Sequence, residues 1–167
     1  MIIAVDWHDV LEDYTTPFLL FLETKGIIIK RDEIRESFIL HGVDRKYFDE
    51  FEELDGFRKL PIIEGAREGI AHLSREHKIY CVSASKRVER DKYLLKFKFP
   101  LITDFYYAKS KGDFLNEIGA RMLIDDQIPH LRTFEKGIAY AFSQEWNRDW
   151  QGLRGSWKEI IFENIIV

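Results

Sequence analysis

The chain has 167 residues, of which 46% are hydrophobic and 32% are charged, and its formal net charge is -4 at pH 7. These values are typical of one soluble globular domain with a sizeable core, and they exclude an intrinsically disordered chain. The acidic balance provides no global positive field that would recruit a nucleic acid polymer. We find no membrane-spanning run, and the only cysteine cannot form an internal disulfide, so we expect a cytoplasmic protein.

Short runs rich in β-branched and aromatic residues alternate with longer amphipathic stretches along the chain. The short runs predict strands at residues 1–5, 78–84, 102–108, 121–126 and 137–142. The amphipathic stretches predict helices at about residues 64–76, 86–97, 111–119, 127–134 and 156–164. This alternation predicts an α/β fold in which helices cover both faces of a mostly parallel sheet.

Acidic residues follow the first predicted strand directly. The apolar run ends at Val5, and Asp6, His8 and Asp9 come next. A carboxylate at the end of a buried strand is costly to desolvate unless a cation or hydrogen bonds compensate it. We interpret Asp9 as a loop residue that hydrogen-bonds locally, and we assign Asp6 to a functional site.

One segment, from about residue 14 to residue 60, interrupts the alternation. It has a helical pattern and is too long for a single crossover connection between two strands. We therefore predict a single domain, 1–167, with a small helical cap inserted at 14–60 after the first strand. Most aromatic side chains of this cap are expected to form its own core.

Polar side chains also follow the later strands. Ser83 and Ser85 stand at the end of the second strand, Lys109 and Lys111 follow the third, and paired acids end the fourth. Ligands of parallel sheets bind at the carboxyl ends of the strands, so these side chains are expected to converge on Asp6. The paired acids are Asp125 and Asp126.

These residue types are suited to metal-assisted phosphoryl transfer. Magnesium prefers oxygen ligands and needs only a few protein carboxylates besides a substrate phosphate. A hydroxyl with the first amides of a helix forms an anion site, which Ser83 and the residues after it would supply. A lysine balances the charge of a phosphoryl group, and a carboxylate can act as the nucleophile.

The ordered motifs resemble those of the haloacid dehalogenase (HAD) superfamily, and within it those of the 5'(3')-deoxyribonucleotidases and their bacterial relatives. The matching segments are "DWHDVL", "IYCVSAS", "KSKGDFLNEIG" and "MLIDDQ". The resemblance implies a HAD-like Rossmannoid three-layer sandwich, Mg²⁺ as cofactor, and hydrolysis of a small phosphomonoester. The favoured substrate is a (deoxy)nucleoside monophosphate, for which Phe18, Phe38 and Phe48 of the cap are candidates to stack on the base.

The resemblance also implies a role for each motif residue. Asp6 becomes the nucleophile and a metal ligand, and Asp125 and Asp126 become further metal ligands. Ser83 and Lys111 hold the phosphoryl oxygens. Ser85 is a further candidate for substrate binding. Lys109 is the alternative to Lys111 as the lysine of the motif.

His8 departs from the pattern, because the family has an acid–base aspartate at this position. The resemblance implies that the backbone carbonyl of His8 binds the metal, so metal binding survives the change. We predict that His8 serves as the acid–base residue in its place, since histidine is itself a common acid–base residue and nearby carboxylates are expected to favour its protonated form. The replacement could also mark a changed reaction. A catalytically impaired protein that binds phosphate or a protein partner is therefore the alternative hypothesis.

Other interpretations receive less support from the sequence. A response-regulator receiver has its acidic pair first and no helical insertion, so the order of the motifs disfavours it. We interpret Lys86 and Arg87 as solvated residues rather than ligands, although an arginine here could reach a substrate phosphate or base. We assign no role to four histidines. These are His41, His72, His77 and His130.

Overall fold

Six strands form the sheet of the protein, whose structure is a computed structural model that describes residues 1–35, 42–54 and 58–162. The strands are β1 (Ile2–Val5), β2 (Lys78–Ser83), β3 (Asp104–Tyr107), β4 (Met122–Asp125), β5 (Ile138–Phe142) and β6 (Leu153–Gly155). Their order is β3-β2-β1-β4-β5-β6, and every pairing is parallel. This arrangement confirms the predicted α/β fold.

Helices connect the strands. They are α1 (Thr15–Thr24), α2 (Arg45–Glu53), α3 (Ala66–Leu73), α4 (Arg87–Arg90), α5 (Lys92–Lys98), α6 (Lys111–Glu117), α7 (Ile128–Thr133) and α8 (Trp157–Phe162), with short 3-10 turns at Arg31–Glu33 and Glu145–Asn147. The single helix predicted at 86–97 is two helices, α4 and α5, separated at Asp91. None of the described helices is both long and apolar enough to cross a bilayer.

Strand β1 lies in the interior of the sheet and is covered on both faces. Its consecutive residues Ile3, Ala4 and Val5 are fully buried. Ile3 and Val5 belong to one apolar cluster and Ala4 to another, as expected when side chains alternate across a strand. The sheet therefore separates two cores, which gives the three layers that the motifs implied.

The strand order places a topological switch point between β1 and β4. From β1 the chain continues to β2 and β3 on one side, and β4 to β6 extend the sheet on the other. A crevice forms where the strand order reverses, outside the carboxyl ends of these strands. Asp6 follows β1 and Asp125 ends β4, so both acids lie at this crevice.

Hydrogen bonds join the two ends of the segment predicted as a cap. The Asp13 amide donates to the Pro61 carbonyl at 2.8 Å, and the Ile63 amide donates to the Leu11 carbonyl at 3.0 Å. Between these two ends, α1 and α2 pack through an aromatic cluster that includes Phe18. The boundaries 14–60 remain a prediction, and part of this segment, residues 36–41 and 55–57, lies outside the described residues.

One strand was absent from the prediction. The sequence of β6, "LRG", has no apolar run, and Leu153 is 45% exposed. The strand is nevertheless paired in parallel with β5, in which Tyr140 is fully buried. β6 is therefore a strand because it pairs with the edge of the sheet at β5, and not because of its hydrophobic pattern.

Candidate active site

A cleft of about 630 Å³ lies at the carboxyl edge of the sheet. It brings together side chains that follow β1, β2, β3 and β4 with side chains from α2. The predicted site residues that line it are Asp6, His8, Ser83, Ser85, Lys111 and Asp126. Asp125 is fully buried directly beside them.

Lys111 occupies the centre of the site. Its Nζ lies 2.8 Å from Asp6 Oδ1 and 2.7 Å from Asp125 Oδ2, and the side chain is 1% exposed. Burial by itself would lower the pKa of Lys111, but the carboxylates of Asp125 and Asp6 outweigh burial and raise this pKa above its ordinary value. The ammonium is therefore charged at neutral pH. Lys109, the alternative lysine, is exposed.

Three carboxylates could hold a divalent cation. Oxygens of Asp6, Asp125 and Asp126 lie within 4.8 Å of one another, and all three residues are buried. The hydrogen bonds from described residues to Asp6, donated by the Trp7 amide and by Lys111, use Oδ1, which leaves Oδ2 available. An all-oxygen donor set of this size suits Mg²⁺.

Asp126 is buried close to two other acids. Burial, together with the charges of Asp125 and Asp6, raises the pKa of Asp126 well above its ordinary value. Its Oδ2 accepts hydrogen bonds from Trp146 Nε1 at 2.9 Å and from Gln127 Nε2 at 2.6 Å. These neutral donors hold the carboxylate in place, and a bound cation would favour its charged form.

The serines after β2 hydrogen-bond within their own loop. The Ser85 amide donates to Ser83 Oγ at 3.2 Å, and the Arg87 amide donates to Ser85 Oγ at 3.3 Å. The anion site expected at Ser83 and the first amides of the following helix stays a prediction; α4 has only four residues, and the Ser85 amide already donates to Ser83 Oγ. The two hydroxyls lie in the cleft lining, where a ligand can reach them.

His8 lies in a tight turn after β1. The Leu11 and Glu12 amides both donate to the Trp7 carbonyl, and Asp9 adopts a left-handed conformation with φ of 56°. The imidazole ring of His8 lies between the rings of Trp7 and Tyr14, with centroids 4.3 Å and 4.7 Å away. The turn therefore directs His8 into an aromatic stack at the wall of the cleft.

The protonated form of His8 is not favoured, in contrast to the prediction. Burial lowers the pKa of His8 to about 4, although the Asp6 charge opposes this shift. The ring is therefore neutral at pH 7. Asp9 behaves as predicted, since its carboxylate accepts local hydrogen bonds from the Tyr14 and Thr15 amides and from Thr15 Oγ1.

Two residues interpreted as peripheral belong to the cleft. Arg87 is paired with Glu52 and Glu53 of α2, so its interpretation as a solvated residue is wrong. His130 received no role, but it lines the cleft, and burial together with the nearby Lys111 lowers its pKa. The one sequence signal that could have placed His130 at the site is its position in the helix that follows the paired acids.

Helix α2 presents one face to the cleft. The lining residues recur at helical spacing and are Arg45, Phe48, Asp49 and Glu52. Of the three aromatic candidates for base stacking, Phe48 lines the cleft. Phe18 is fully buried in the core, so its candidacy is wrong, and Phe38 lies outside the described residues.

Replacing Lys111 by Met should destabilise the metal-free protein strongly. The substitution keeps the length of the side chain but leaves Asp6 and Asp125 buried without their cation, and we expect a loss of about 3 kcal/mol in the free energy of unfolding. Urea denaturation in EDTA measures this loss. The matched control is Lys109→Met at an exposed position, which should change stability by less than about 0.5 kcal/mol. Equal effects of the two substitutions would contradict the assignment.

Solved structures of HAD-like hydrolases share this fold. A haloacid dehalogenase-like hydrolase from Streptococcus pneumoniae matches with a TM-score of 0.69 at 9% identity, over 98% of this chain and 97% of that one. The HAD-hydrolase YfnB from Bacillus subtilis, solved bound to magnesium, matches with a TM-score of 0.61 at 14% identity, over 99% and 98% of the chains. A subfamily IA hydrolase of the HAD superfamily from Geobacter sulfurreducens matches with a TM-score of 0.60 at 16% identity, over 96% and 94%.

At these identities the likeness concerns the fold alone. No protein-family profile and no curated protein matches the sequence. The predicted relationship to the deoxyribonucleotidases has no support among these structures. The chain therefore has the HAD-like fold that its motifs implied.

Proposed function

We propose that the protein is a Mg²⁺-dependent phosphomonoester hydrolase that works through an aspartyl-phosphate on Asp6. The observation that carries this proposal is the Lys111 ammonium held between Asp6 and Asp125, with Asp126 beside them, at the base of a cleft. The structural neighbours named as hydrolases support the reaction class, and the neighbour solved with magnesium supports the choice of metal. Asp6, Asp125, Asp126 and the His8 carbonyl would hold the ion.

The chemistry would proceed in two displacements. In the first, Oδ2 of Asp6 attacks phosphorus, the bond from phosphorus to the ester oxygen breaks, and the leaving alkoxide takes up a proton. In the second, water attacks phosphorus, loses a proton, and displaces phosphate from Asp6. Lys111 and the Ser83 hydroxyl would stabilise the phosphoryl oxygens. Bound magnesium would supply further positive charge to these oxygens.

The substrate class that we favour is a (deoxy)nucleoside monophosphate. This finer proposal rests on the motif resemblance, and the cleft has groups that suit it. Phe48 of α2 and Tyr107, the last residue of β3, present aromatic rings in the lining. The Lys86 ammonium lies 5.8 Å from the centre of the Tyr107 ring. An aromatic ring stacks on any base, whereas the side chains of Arg45 and Asp49 would contact its polar edge.

The state of His8 favours a second candidate, a protein that binds phosphate esters but turns them over slowly. A general acid must be protonated when the alkoxide leaves, yet burial keeps the His8 ring neutral and stacked on Trp7 and Tyr14. A neutral imidazole suits the second displacement, in which it would accept a proton from water. The two candidates therefore differ in the first displacement.

Phosphate release from nucleoside and sugar monophosphates tests the first candidate. We expect turnover in Mg²⁺, loss of turnover in EDTA, and a fall of several orders of magnitude in kcat for Asp6→Asn, because an amide cannot form the acyl phosphate. Asp149→Asn, at an exposed position, is the control and should leave the rate unchanged. Metal-independent turnover, or full activity of Asp6→Asn, would refute the proposal.

The substitution His8→Asp separates the two candidates. The second candidate predicts that wild type hydrolyses an aryl phosphate, whose leaving group needs no proton, much faster than an alkyl phosphate. It also predicts that His8→Asp raises kcat on the alkyl phosphate by about 10²–10⁴-fold, because a general acid contributes a factor of this size. A fall in kcat on both substrates would instead identify His8 as a working acid–base residue and rule out the second candidate.

A further inference from the structure

Arg31 ties the inserted segment to the loop that follows β5. Its three guanidinium nitrogens have three different partners: Nε donates to Glu145 Oε2 at 2.9 Å, and Nη2 donates to Gln144 Oε1 at 2.8 Å. The third, Nη1, donates to Thr16 Oγ1 at 2.9 Å. These contacts join α1, the 3-10 turn that begins at Arg31, and a core loop more than one hundred residues away in sequence.

The same guanidinium lies over a tryptophan that contacts a metal-site acid. The Arg31 carbon Cζ is 5.5 Å from the centre of the Trp146 ring, a cation–π distance. Trp146 is buried and donates its indole N–H to Asp126 Oδ2 at 2.9 Å. A continuous path of contacts therefore leads from the inserted segment to the Asp126 carboxylate.

The other side of this loop is fixed to the core by Asn147. Its Nδ2 donates to the Asp126 carbonyl at 2.9 Å and to the Phe142 carbonyl at 2.7 Å. Arg154 in turn donates to Asn147 Oδ1 at 3.0 Å. Asn147 therefore fixes the backbone of the loop, whereas Arg31 covers the Trp146 ring itself.

Asp126 depends on these neutral contacts more than the other two acids do. The ion pairs that Lys111 forms with described residues are with Asp6 and Asp125. The orientation of the Asp126 carboxylate is instead determined by two donors on one oxygen, Trp146 and Gln127. Partners that orient a metal-binding carboxylate typically contribute a factor of about 10–100 to metal affinity.

We infer that Arg31 is a positioning residue, which holds Trp146 so that Asp126 is oriented for a divalent cation and thereby couples the inserted segment to Mg²⁺ binding. The inference rests on the proposed function in that Mg²⁺ is the cofactor. Coupling of this kind is reciprocal, so Mg²⁺ binding also stabilises the contact between the segment and the loop.

The direction in which Mg²⁺ affinity changes when Arg31 is replaced distinguishes a positioning role from a purely electrostatic one. Removing a positive charge near a cation site strengthens cation binding if only Coulomb attraction and repulsion act. Loss of Arg31 should weaken Mg²⁺ binding, because Trp146 loses its support. Arg31→Lys keeps the charge but not the planar fork, so it should weaken binding nearly as much as Arg31→Met.

Calorimetric titration of Mg²⁺ into the full chain, with no substrate present, tests this inference in a double-mutant cycle. The variants are Arg31→Met, Trp146→Phe and the double variant. Trp146→Phe keeps an aromatic ring but removes the N–H donor. We expect each single substitution to raise the Kd for Mg²⁺ about 10-fold, and the double variant to bind no more weakly than Trp146→Phe alone. Near-UV circular dichroism confirms that each variant is folded, and Arg31→Lys provides a second measurement if Arg31→Met is not.

The control is Arg148→Met, which removes an exposed arginine beside the same loop and should leave the Kd unchanged. A wild-type Kd in Arg31→Met, or fold-increases in Kd that multiply in the double variant, would overturn the inference. In either case, Mg²⁺ binding by wild type would still support the proposed function. Absence of Mg²⁺ binding by wild type would overturn the proposed function together with the inference.

Discussion

The buried ammonium of Lys111, held between the carboxylates of Asp6 and Asp125, is the interaction on which the rest of the site depends. Parallel pairing brings the two acids together, since the Asp6 amide donates to the Ile124 carbonyl at 2.9 Å where β1 and β4 end side by side. Without the lysine, two buried carboxylates would repel each other in a poorly solvated place. Lys111 offsets only one of these two charges, and Asp126 brings a third carboxyl group to within 4.8 Å of the other two, a donor set that suits a divalent cation.

Two described parts of the segment between β1 and Pro61 contact the core. Arg87 after β2 pairs with Glu52 and Glu53 of α2, and Arg31 reaches the loop after β5. The first contact involves α2, whose residues line the cleft, and the second reaches Asp126, a proposed metal ligand, through Trp146. Under the proposed function, substrate selection and metal binding would therefore both depend on how this segment contacts the sheet.

Much of the fold and of the acid cluster could be predicted because both depend on local pattern. Alternating apolar runs indicated five of the six described strands, and polar residues at strand ends indicated Asp6, Ser83, Lys111 and Asp125. The contacts of Arg31 could not be predicted, because they join residues more than one hundred positions apart with no pattern of their own. The neutral state of His8 was also beyond prediction, since it follows from burial that only the folded chain shows.

The central claim is that Asp6 becomes covalently phosphorylated. Acid-quenched single turnovers with an aryl phosphate and Mg²⁺, followed by reduction of acyl phosphates with borohydride and peptide mass spectrometry, test it most directly. The account predicts that the reduced residue is Asp6 and that the signal rises and decays within one turnover. Turnover with an unmodified Asp6, or phosphate recovered on Ser83 or His8 instead, would contradict it.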